Sequence, residues 1–116
     1  MIRLTIQQQR EDKVKAELDY RRFYGRVCPD ILWTTQNGEA VGHATCSFRH
    51  HSSPSLKVNA STGYFECSEC RRGGDVIYFC MLRTGLSRSK VLRDLELIVR
   101  EQQNPNNGGM QRLGLA

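Results

Sequence analysis

The sequence predicts an α+β fold in which a small antiparallel β-sheet is flanked by α-helices. Short runs of β-branched and aromatic residues occupy the middle of the chain, separated by turn signals at Asn37-Gly38 and around Gly63. On both sides of this region, apolar residues recur three and four positions apart, which is the spacing of one helix face. These two observations together predict the class.

The first element is a predicted helix over residues 11–24. Val14, Leu18 and the aromatic residues that follow are three and four positions apart, so they would share one face of a helix. Gly25 and then Pro29 predict the end of this helix.

Two hairpins follow the helix. Residues 31–48 form the first hairpin, with Asn37-Gly38 at its turn. Two short strands near residues 55–58 and 64–67 form the second. Gly73 and Gly74 predict a tight turn that leads into the next helix.

Two helices are predicted after the sheet. Asp75 is placed to cap the first of them and Gly85 to end it. Ser87 is the predicted N-cap of the second helix, which carries an apolar stripe. The stripe consists of Val91, Leu92, Leu95, Ile98 and Val99.

Length and composition predict one domain. The chain has 116 residues, and we assign residues 1–10 to an N-terminal extension, 11–100 to the domain and 101–116, rich in Asn, Gly and Gln, to a flexible tail. No apolar run approaches the roughly 20 residues of a membrane span. The N-terminus also becomes polar too early for a secretion signal. We therefore expect a cytoplasmic protein without a membrane partner.

The chain is moderately basic. Lys and Arg number 17 against 12 Asp and Glu, which gives a formal net charge of +5. Such an excess favours polyanionic partners. An ordinary basic protein would carry the same charge, so the charge alone does not identify a partner.

Three cysteines and a histidine have the spacing of a zinc site. Cys67 and Cys70 form a C-x-x-C knuckle at the end of a predicted strand, and Cys46 is followed by His50 and His51. In a reducing compartment, metal binding is favoured over disulfides. Two knuckles on adjacent hairpins supply the four ligands of a tetrahedral zinc. The pattern predicts one structural zinc in a zinc-ribbon-like sheet, with either histidine as the fourth ligand.

Other candidate ligands fit this pattern less well. His43 lies on a predicted strand, where a solvated or half-buried side chain is the simpler interpretation. Cys28 has no second ligand near it in the sequence, and Cys80 lies on an apolar helix face, as expected of a core cysteine. For the knuckle itself, the alternatives are buried thiols without a metal or a redox dithiol.

The segment from Cys46 to Phe79 resembles the Cys-His-Cys-Cys zinc finger at the N-terminus of bacterial and phage DNA primases. The resemblance extends over roughly residues 20–100 and depends on an aromatic-x-Cys-x-x-Cys motif followed by Gly-Gly-Asp and an apolar helix. The matching residues are Cys46, Pro54, Ser55, Leu56, Gly63, Phe65, Cys67, Cys70, Gly73, Gly74, Asp75, Ile77 and Phe79. The resemblance implies a primase-type zinc-binding domain that acts in DNA replication or primer synthesis.

One departure from the family pattern concerns the histidine. The family histidine stands three residues after the first cysteine, where this chain has Arg49. Because the distance from Cys46 to Pro54 is kept, the histidine has moved by one or two positions. The smaller shift favours His50 over His51 as the fourth ligand.

Catalysis in that family belongs to a separate domain, in which a glutamate and an Asp-x-Asp pair bind magnesium. This chain contains no Asp-x-Asp sequence. We therefore expect a chain without polymerase activity of its own, either a stand-alone finger or part of a longer primase.

Basic and aromatic residues near the knuckles predict a surface for single-stranded DNA. The candidates are Arg49, Lys57, Tyr64, Arg71 and Arg72. The basic side chains would contact phosphates, and either Tyr64 or Phe65 would face outward and stack on a base. Phe65 is expected in the core, and Trp33 is expected to pack within the first hairpin.

A replication, primase or helicase protein is the expected protein partner. The alternative function is a zinc-stabilised protein–protein adaptor, for which the helix over residues 87–100 would offer its apolar stripe as the docking surface. A redox dithiol protein is the third function considered.

Overall fold

The computed structural model describes residues 5–46 and 54–103. Its elements in chain order are α1 (Ile6–Glu17), α2 (Tyr20–Val27), β1 (Leu32–Gln36), β2 (Glu39–Ala44), β3 (Leu56–Asn59), β4 (Phe65–Cys67), β5 (Arg72–Gly74), α3 (Val76–Thr84) and α4 (Arg88–Gln103). The predicted α+β class is confirmed. No helix within the described ranges is long and apolar enough to cross a membrane.

The N-terminal region contains two helices where the sequence predicted one. Thr5 and Gln8 form a capping box that starts α1 before residue 11. The helical conformation is interrupted after α1 because Asp19 is extended. The carboxylate of Asp19 accepts a hydrogen bond from the amide of Arg22 and so caps α2. Gly25 lies inside α2, so its predicted role as a helix end is wrong.

The five strands form one antiparallel sheet in the order β1-β2-β3-β4-β5. Asn37 and Gly38 both have positive φ, as a two-residue hairpin turn requires, and Gly63 has φ of 77° in the turn before β4. Both predicted hairpins are confirmed. β5 was not predicted, because Gly73 and Gly74 pair with β4 in place of the expected turn.

The two faces of the sheet have different surroundings. The helix side packs against the helices and buries Leu56, Val58 and Phe65. Alternate residues of the same strands, such as Lys57 and Glu66, are exposed on the opposite face, here called the outer face.

Aromatic rings connect the sheet to the helices. The ring centre of Phe79 in α3 lies 5.0 Å from that of Tyr24 and 5.4 Å from that of Phe65, both in edge-to-face contact. The buried hydroxyl of Tyr24 donates a 2.8 Å hydrogen bond to the carbonyl of Gly63. Burial raises the pKa of Tyr24 well above its ordinary value. The hydroxyl therefore stays neutral and joins α2 to the β3–β4 turn.

Both predicted ends of α3 and the predicted start of α4 are confirmed, whereas α4 continues to Gln103, beyond the predicted end at residue 100. The carboxylate of Asp75 accepts a 2.9 Å hydrogen bond from the amide of Tyr78, and Gly85 ends α3 with φ of 74°. The hydroxyl of Ser87 accepts a 3.3 Å hydrogen bond from the amide of Lys90 at the start of α4.

The apolar stripe of α4 is part of the core. Its five side chains are at most 5% exposed, and the helix contacts α1 and α3. The prediction that this stripe is a docking surface is therefore wrong, because the protein's own helices cover it.

Ion pairs join α1 to α3 and α4. Both carboxylate oxygens of Glu11 accept 2.9 Å hydrogen bonds from the guanidinium of Arg88 at the start of α4. Lys15 lies 3.5 Å from the carboxylate of Asp75, which caps α3. Hydrogen bonding to Arg88 lowers the pKa of Glu11 against the opposing effect of its burial.

Candidate metal centre

Three cysteine thiols meet at one end of the sheet. Cys46 follows β2, Cys67 ends β4 and Cys70 lies in the turn before β5. Their sulfur atoms all lie within 4.8 Å of one another, and those of Cys46 and Cys70 are 3.4 Å apart. The structure thus brings together the three cysteines that the spacing predicted.

The strand register explains this meeting. Ala44 pairs with Leu56 and Leu56 pairs with Cys67, so the ends of β2 and β4 lie in one row across the sheet. Cys46 continues from β2 toward the same end, and the turn after Cys67 brings Cys70 back beside them. Antiparallel pairing therefore closes the large sequence gap between the two knuckles.

The sulfur positions fit a zinc ion. Zn–S bonds of about 2.3 Å in a tetrahedron place neighbouring sulfurs about 3.8 Å apart, which agrees with three sulfurs that are all within 4.8 Å of one another. Three thiolates leave one position of the tetrahedron for a fourth ligand. The predicted ligand His50, its alternative His51 and the predicted DNA contact Arg49 lie outside the described residues.

Hydrogen bonds within the cluster shift the pKa values of Cys67 and Cys70 in opposite directions. Burial raises the pKa of Cys67, but hydrogen bonds with the hydroxyl of Ser55 and the amide of Cys70, each 3.4 Å long, and with the neighbouring thiols lower it to about 7. Burial and hydrogen bonds with Cys46 and Cys67 raise the pKa of Cys70 to about 12. Cys67 therefore ionises before Cys70, and a metal must displace the proton of Cys70 to bind it as a thiolate.

Ser55 is a site residue that metal-ligand spacing alone does not reveal. Its hydroxyl lies 3.4 Å from the sulfur of Cys67 and supports the ionised thiol, as groups around metal ligands commonly do. The signal that could have identified it is the Pro54-Ser55 pair between the two knuckles.

The other candidate ligands lie apart from the cluster, as predicted. His43 is half-buried on β2, with Nε2 3.4 Å from the side-chain nitrogen of Gln36. Cys28 is the C-cap of α2. Cys80 is fully buried in α3, and burial raises its pKa far above the ordinary value. The metal cluster found in residues 5–46 and 54–103 includes none of these side chains.

The predicted phosphate contacts of the second knuckle are exposed at one edge of the sheet. Arg71 has φ of 54° in the turn between β4 and β5, and Arg72 begins β5. Nη1 of Arg72 donates a 3.0 Å hydrogen bond to the hydroxyl of Tyr78 on α3. Sequence reasoning missed Tyr78, because no local pattern links a helix residue to an arginine on the preceding strand.

The other two described candidates lie on the opposite side of the sheet. Tyr64 is 59% exposed while Phe65 is buried, which confirms the core position expected of Phe65. Tyr64 and Lys57 line a shallow hollow on the outer face together with Glu39 and Glu66. Arg72 pairs with Cys67 and lies on the same side of the sheet as that residue. The predicted DNA contacts therefore form two groups, Tyr64 and Lys57 on the outer face and the two arginines at the β5 edge.

Comparison with known proteins agrees with this architecture. The model of the CHC2 zinc finger family matches residues 8–107 of the chain. The DNA primase of Streptomyces coelicolor is 40% identical over 50 residues, and the DNA primase of Borreliella burgdorferi is 50% identical over 36 residues. These matches cover 43% and 31% of this chain but only 8% and 7% of the two primases.

A solved structure shows the same fold. The crystal structure of the zinc-binding and RNA polymerase domains of Aquifex aeolicus primase superposes with a TM-score of 0.61 and 22% identity, over 78% of this chain and 21% of that chain. The sequence matches cover only a small part of the two primases. The three clustered cysteines provide the kind of zinc site for which the family is named. The chain belongs to the CHC2 zinc finger family and has the site of a structural zinc.

Proposed function

We propose that this chain is a zinc-stabilised module that binds single-stranded DNA during replication or primer synthesis and has no polymerase activity of its own. The observation that carries the proposal is the position of Arg71 and Arg72, which directly follow a metal-ligating cysteine and are both exposed. Zinc would fix the turn that presents them, with His50 as its fourth ligand. The module would work in the cytoplasm beside a replication, primase or helicase protein.

The two arginines suit phosphate binding because their backbone is held on both sides. Cys70 precedes them at the metal site, and β5 follows them in the sheet. The hydrogen bond from Arg72 to Tyr78 uses one of the five donors of the guanidinium. The remaining donors can bind phosphate oxygens in a fork geometry that an arginine matches well.

Tyr64 is proposed to stack on a base. Its ring is the exposed aromatic surface of the outer face, and stacking on an aromatic ring is worth about 1–3 kcal/mol per base. Glu39 and Glu66 line the same hollow and would repel a phosphate there. We therefore assign bases to the hollow, with Lys57 balancing its carboxylates, and phosphates to the arginines at the edge.

Salt-dependent binding of single-stranded oligonucleotides tests this assignment. Removing one phosphate-binding side chain should lower the slope of log K against log salt by about 0.7–1. Arg71→Ala/Arg72→Ala should therefore weaken binding to all sequences and reduce the slope by about twice that amount. Tyr64→Ala should weaken binding at an unchanged slope, because stacking releases no counterions.

Arg93→Ala is the matched control, since Arg93 is exposed on α4, a helix that packs on α1 and α3. This variant should bind as the wild type does. Equal affinity of the wild type and the Arg71/Arg72 double variant at low salt would refute the knuckle surface.

A further inference from the structure

We propose that the exposed side of α2 is a second phosphate-binding surface for single-stranded nucleic acid. This surface, the α2 arginine face, consists of Arg21, Arg22, Gly25 and Arg26. It shares its ligand class with the proposed function but none of its residues. One of its residues, Arg21, lies against Trp33 of β1, the edge strand opposite β5.

The burial pattern of α2 puts the three arginines on the outside. Tyr20, Phe23, Tyr24 and Val27 are buried in the core. The remaining positions between residues 20 and 27 are all exposed and hold only the three arginines and one glycine. One side of a short helix is thus basic along its whole length.

The start of α2 is anchored to the end of α4. The side chain of Gln102 accepts a 2.8 Å hydrogen bond from the amide of Asp19 and donates a 3.2 Å hydrogen bond to its carbonyl. The guanidinium of Arg22 donates a 3.2 Å hydrogen bond to the carbonyl of Gln102. The start of α2 is therefore held in place, which reduces the entropy that this segment loses when a ligand binds.

Arg21 is oriented by an aromatic ring. Its guanidinium carbon lies 5.3 Å from the centre of the Trp33 ring, within cation–π range. The indole in turn lies against Gly42 of β2, where an added Cβ would come within 3.0 Å of it. This stack holds the guanidinium in place while its N–H groups remain exposed for a phosphate.

Within the described residues, the α2 arginine face has no carboxylate partner. No ion pair within 4.0 Å joins any of its guanidinium groups to an acidic side chain, in contrast to Arg10 and Arg88. Two acidic residues close to the face in the chain are already engaged, since Asp19 caps α2 and Asp30 accepts hydrogen bonds from Thr45. In the part of the chain that the structure describes, no direct ion pair therefore occupies these guanidinium groups.

Gly25 has no role in folding that would explain it. It lies within α2 with a helical backbone, and a Cβ added there would meet nothing within 4 Å. Glycine is a poor helix former compared with alanine, so neither packing nor conformation favours it at this position. It does leave a gap between the arginines into which a phosphate backbone can approach closely.

The chemistry of the face favours nucleic acid over an acidic protein. Protein interfaces usually bury apolar or aromatic anchors at their centre, and the exposed positions of α2 offer none. Leu32 is 71% exposed nearby, but it pairs with His43 and lies on the outer face, whereas Trp33 pairs with Gly42 on the helix side. Three guanidinium groups on one side of a helix without an apolar anchor suit a chain of phosphates.

The first test compares the two surfaces with an oligothymidylate of about 16 nucleotides, the upper range of small single-strand sites. Arg21→Ala/Arg26→Ala should lower the salt slope by about 1.4–2, and its effect should add to that of Arg71→Ala/Arg72→Ala. Arg22 is kept because it also anchors α4. A loss confined to the Arg71/Arg72 variant would overturn this inference and leave the proposed function intact, and a loss confined to the α2 variant would do the reverse.

The second test uses Gly25. Gly25→Gln should raise the Tm by about 4 °C, because glutamine is a better helix former, yet weaken oligothymidylate binding at least five-fold by filling the gap. Ala16→Gln, at an exposed position of α1, is the matched control and should leave binding unchanged. Wild-type affinity of Gly25→Gln would overturn the inference, as would binding of polyglutamate but not oligothymidylate to the α2 arginine face.

Discussion

The zinc end of the sheet and the helical body of this molecule are held together by different forces. β4 and β5 contain only three residues each, and the three thiols converge beside them. In the helical body, Phe23, Tyr24 and Phe79 are fully buried and their rings pack against one another. One end of the fold has the site of a zinc ion and the other is stabilised by apolar burial, so we expect that each can be perturbed separately.

Removal of the metal should produce the largest effect. Structural zinc contributes about 10–16 kcal/mol of apparent binding energy in small fingers, comparable to the entire stability of an ordinary domain. Chelation or Cys67→Ser should therefore unfold the sheet and lower the Tm steeply, as followed by circular dichroism together with zinc content. Cys80→Ala is the control, since it alters the core but should keep one zinc and the response to chelator. An unchanged Tm after chelation would show that this end of the sheet does not depend on a metal.

A core truncation should act on the other region. Phe79 contacts Phe23, Tyr24 and Phe65 and is fully buried, so Phe79→Ala should reduce the free energy of unfolding by about 3–5 kcal/mol. Urea titration of the zinc-loaded protein measures the loss. The zinc content should remain one per chain, and a variant that also loses its zinc would show that the two regions are not separable.

The ion pair that joins α1 to α4 should make the helical body sensitive to acid. Because hydrogen bonding to Arg88 lowers the pKa of Glu11, the pair stabilises the fold above the usual carboxyl range, and this contribution is lost as the pH falls through the lowered pKa. Glu11→Gln should reduce the free energy of unfolding at pH 7 by about 1–3 kcal/mol. The difference between variant and wild type should shrink as the pH falls below the usual carboxyl range and disappear only below the lowered pKa of Glu11.

The exposed pair between Arg10 and Glu96 is the control for this effect. Glu96→Gln should change the free energy of unfolding by less than about 1 kcal/mol, since exposed ion pairs contribute little. Urea titrations at several pH values compare both variants. Equal effects of the two substitutions would mean that the burial of Glu11 adds nothing.

Two glycines in the helical body should respond to alanine with opposite signs. Gly85 has φ of 74°, so Gly85→Ala should destabilise the protein by about 1–2 kcal/mol, the penalty of a left-handed conformation for alanine. Gly25 has open space and a helical backbone, so alanine there should stabilise by about 1 kcal/mol. Thermal denaturation of both variants checks the opposite signs, and shifts of the same sign would contradict the backbone argument.

Local signals predicted much of the fold correctly. Asn37-Gly38, Asp75, Gly85 and Ser87 act on backbone within a few residues of themselves, and each did what its chemistry indicated. The second knuckle was equally predictable, because the two-residue spacing of Cys67 and Cys70 suits one metal. Such features depend on short-range geometry, which a sequence records directly.

Other local predictions failed where two interpretations competed. The aromatic spacing before Gly25 suggested one helix, but Asp19 offers a cap in the middle of that stretch. Gly73 and Gly74 suggested a turn, but a hydrogen-bonded partner strand outweighs their weak strand preference. A local cap decided the first case and pairing with a neighbouring strand decided the second.

The class, the caps of α3 and the N-cap of α4, the hairpin turns and the three thiols of the metal site could be predicted, because each arises between residues that are close in the chain or repeated in a recognisable pattern. The tertiary structure was needed to place Tyr64 and Arg72 on opposite sides of the sheet. It also decided that Arg88 reaches Glu11 across 77 positions and that Arg21 rests on Trp33. Strand register and helix packing set those distances, and a linear pattern of residue types does not contain them.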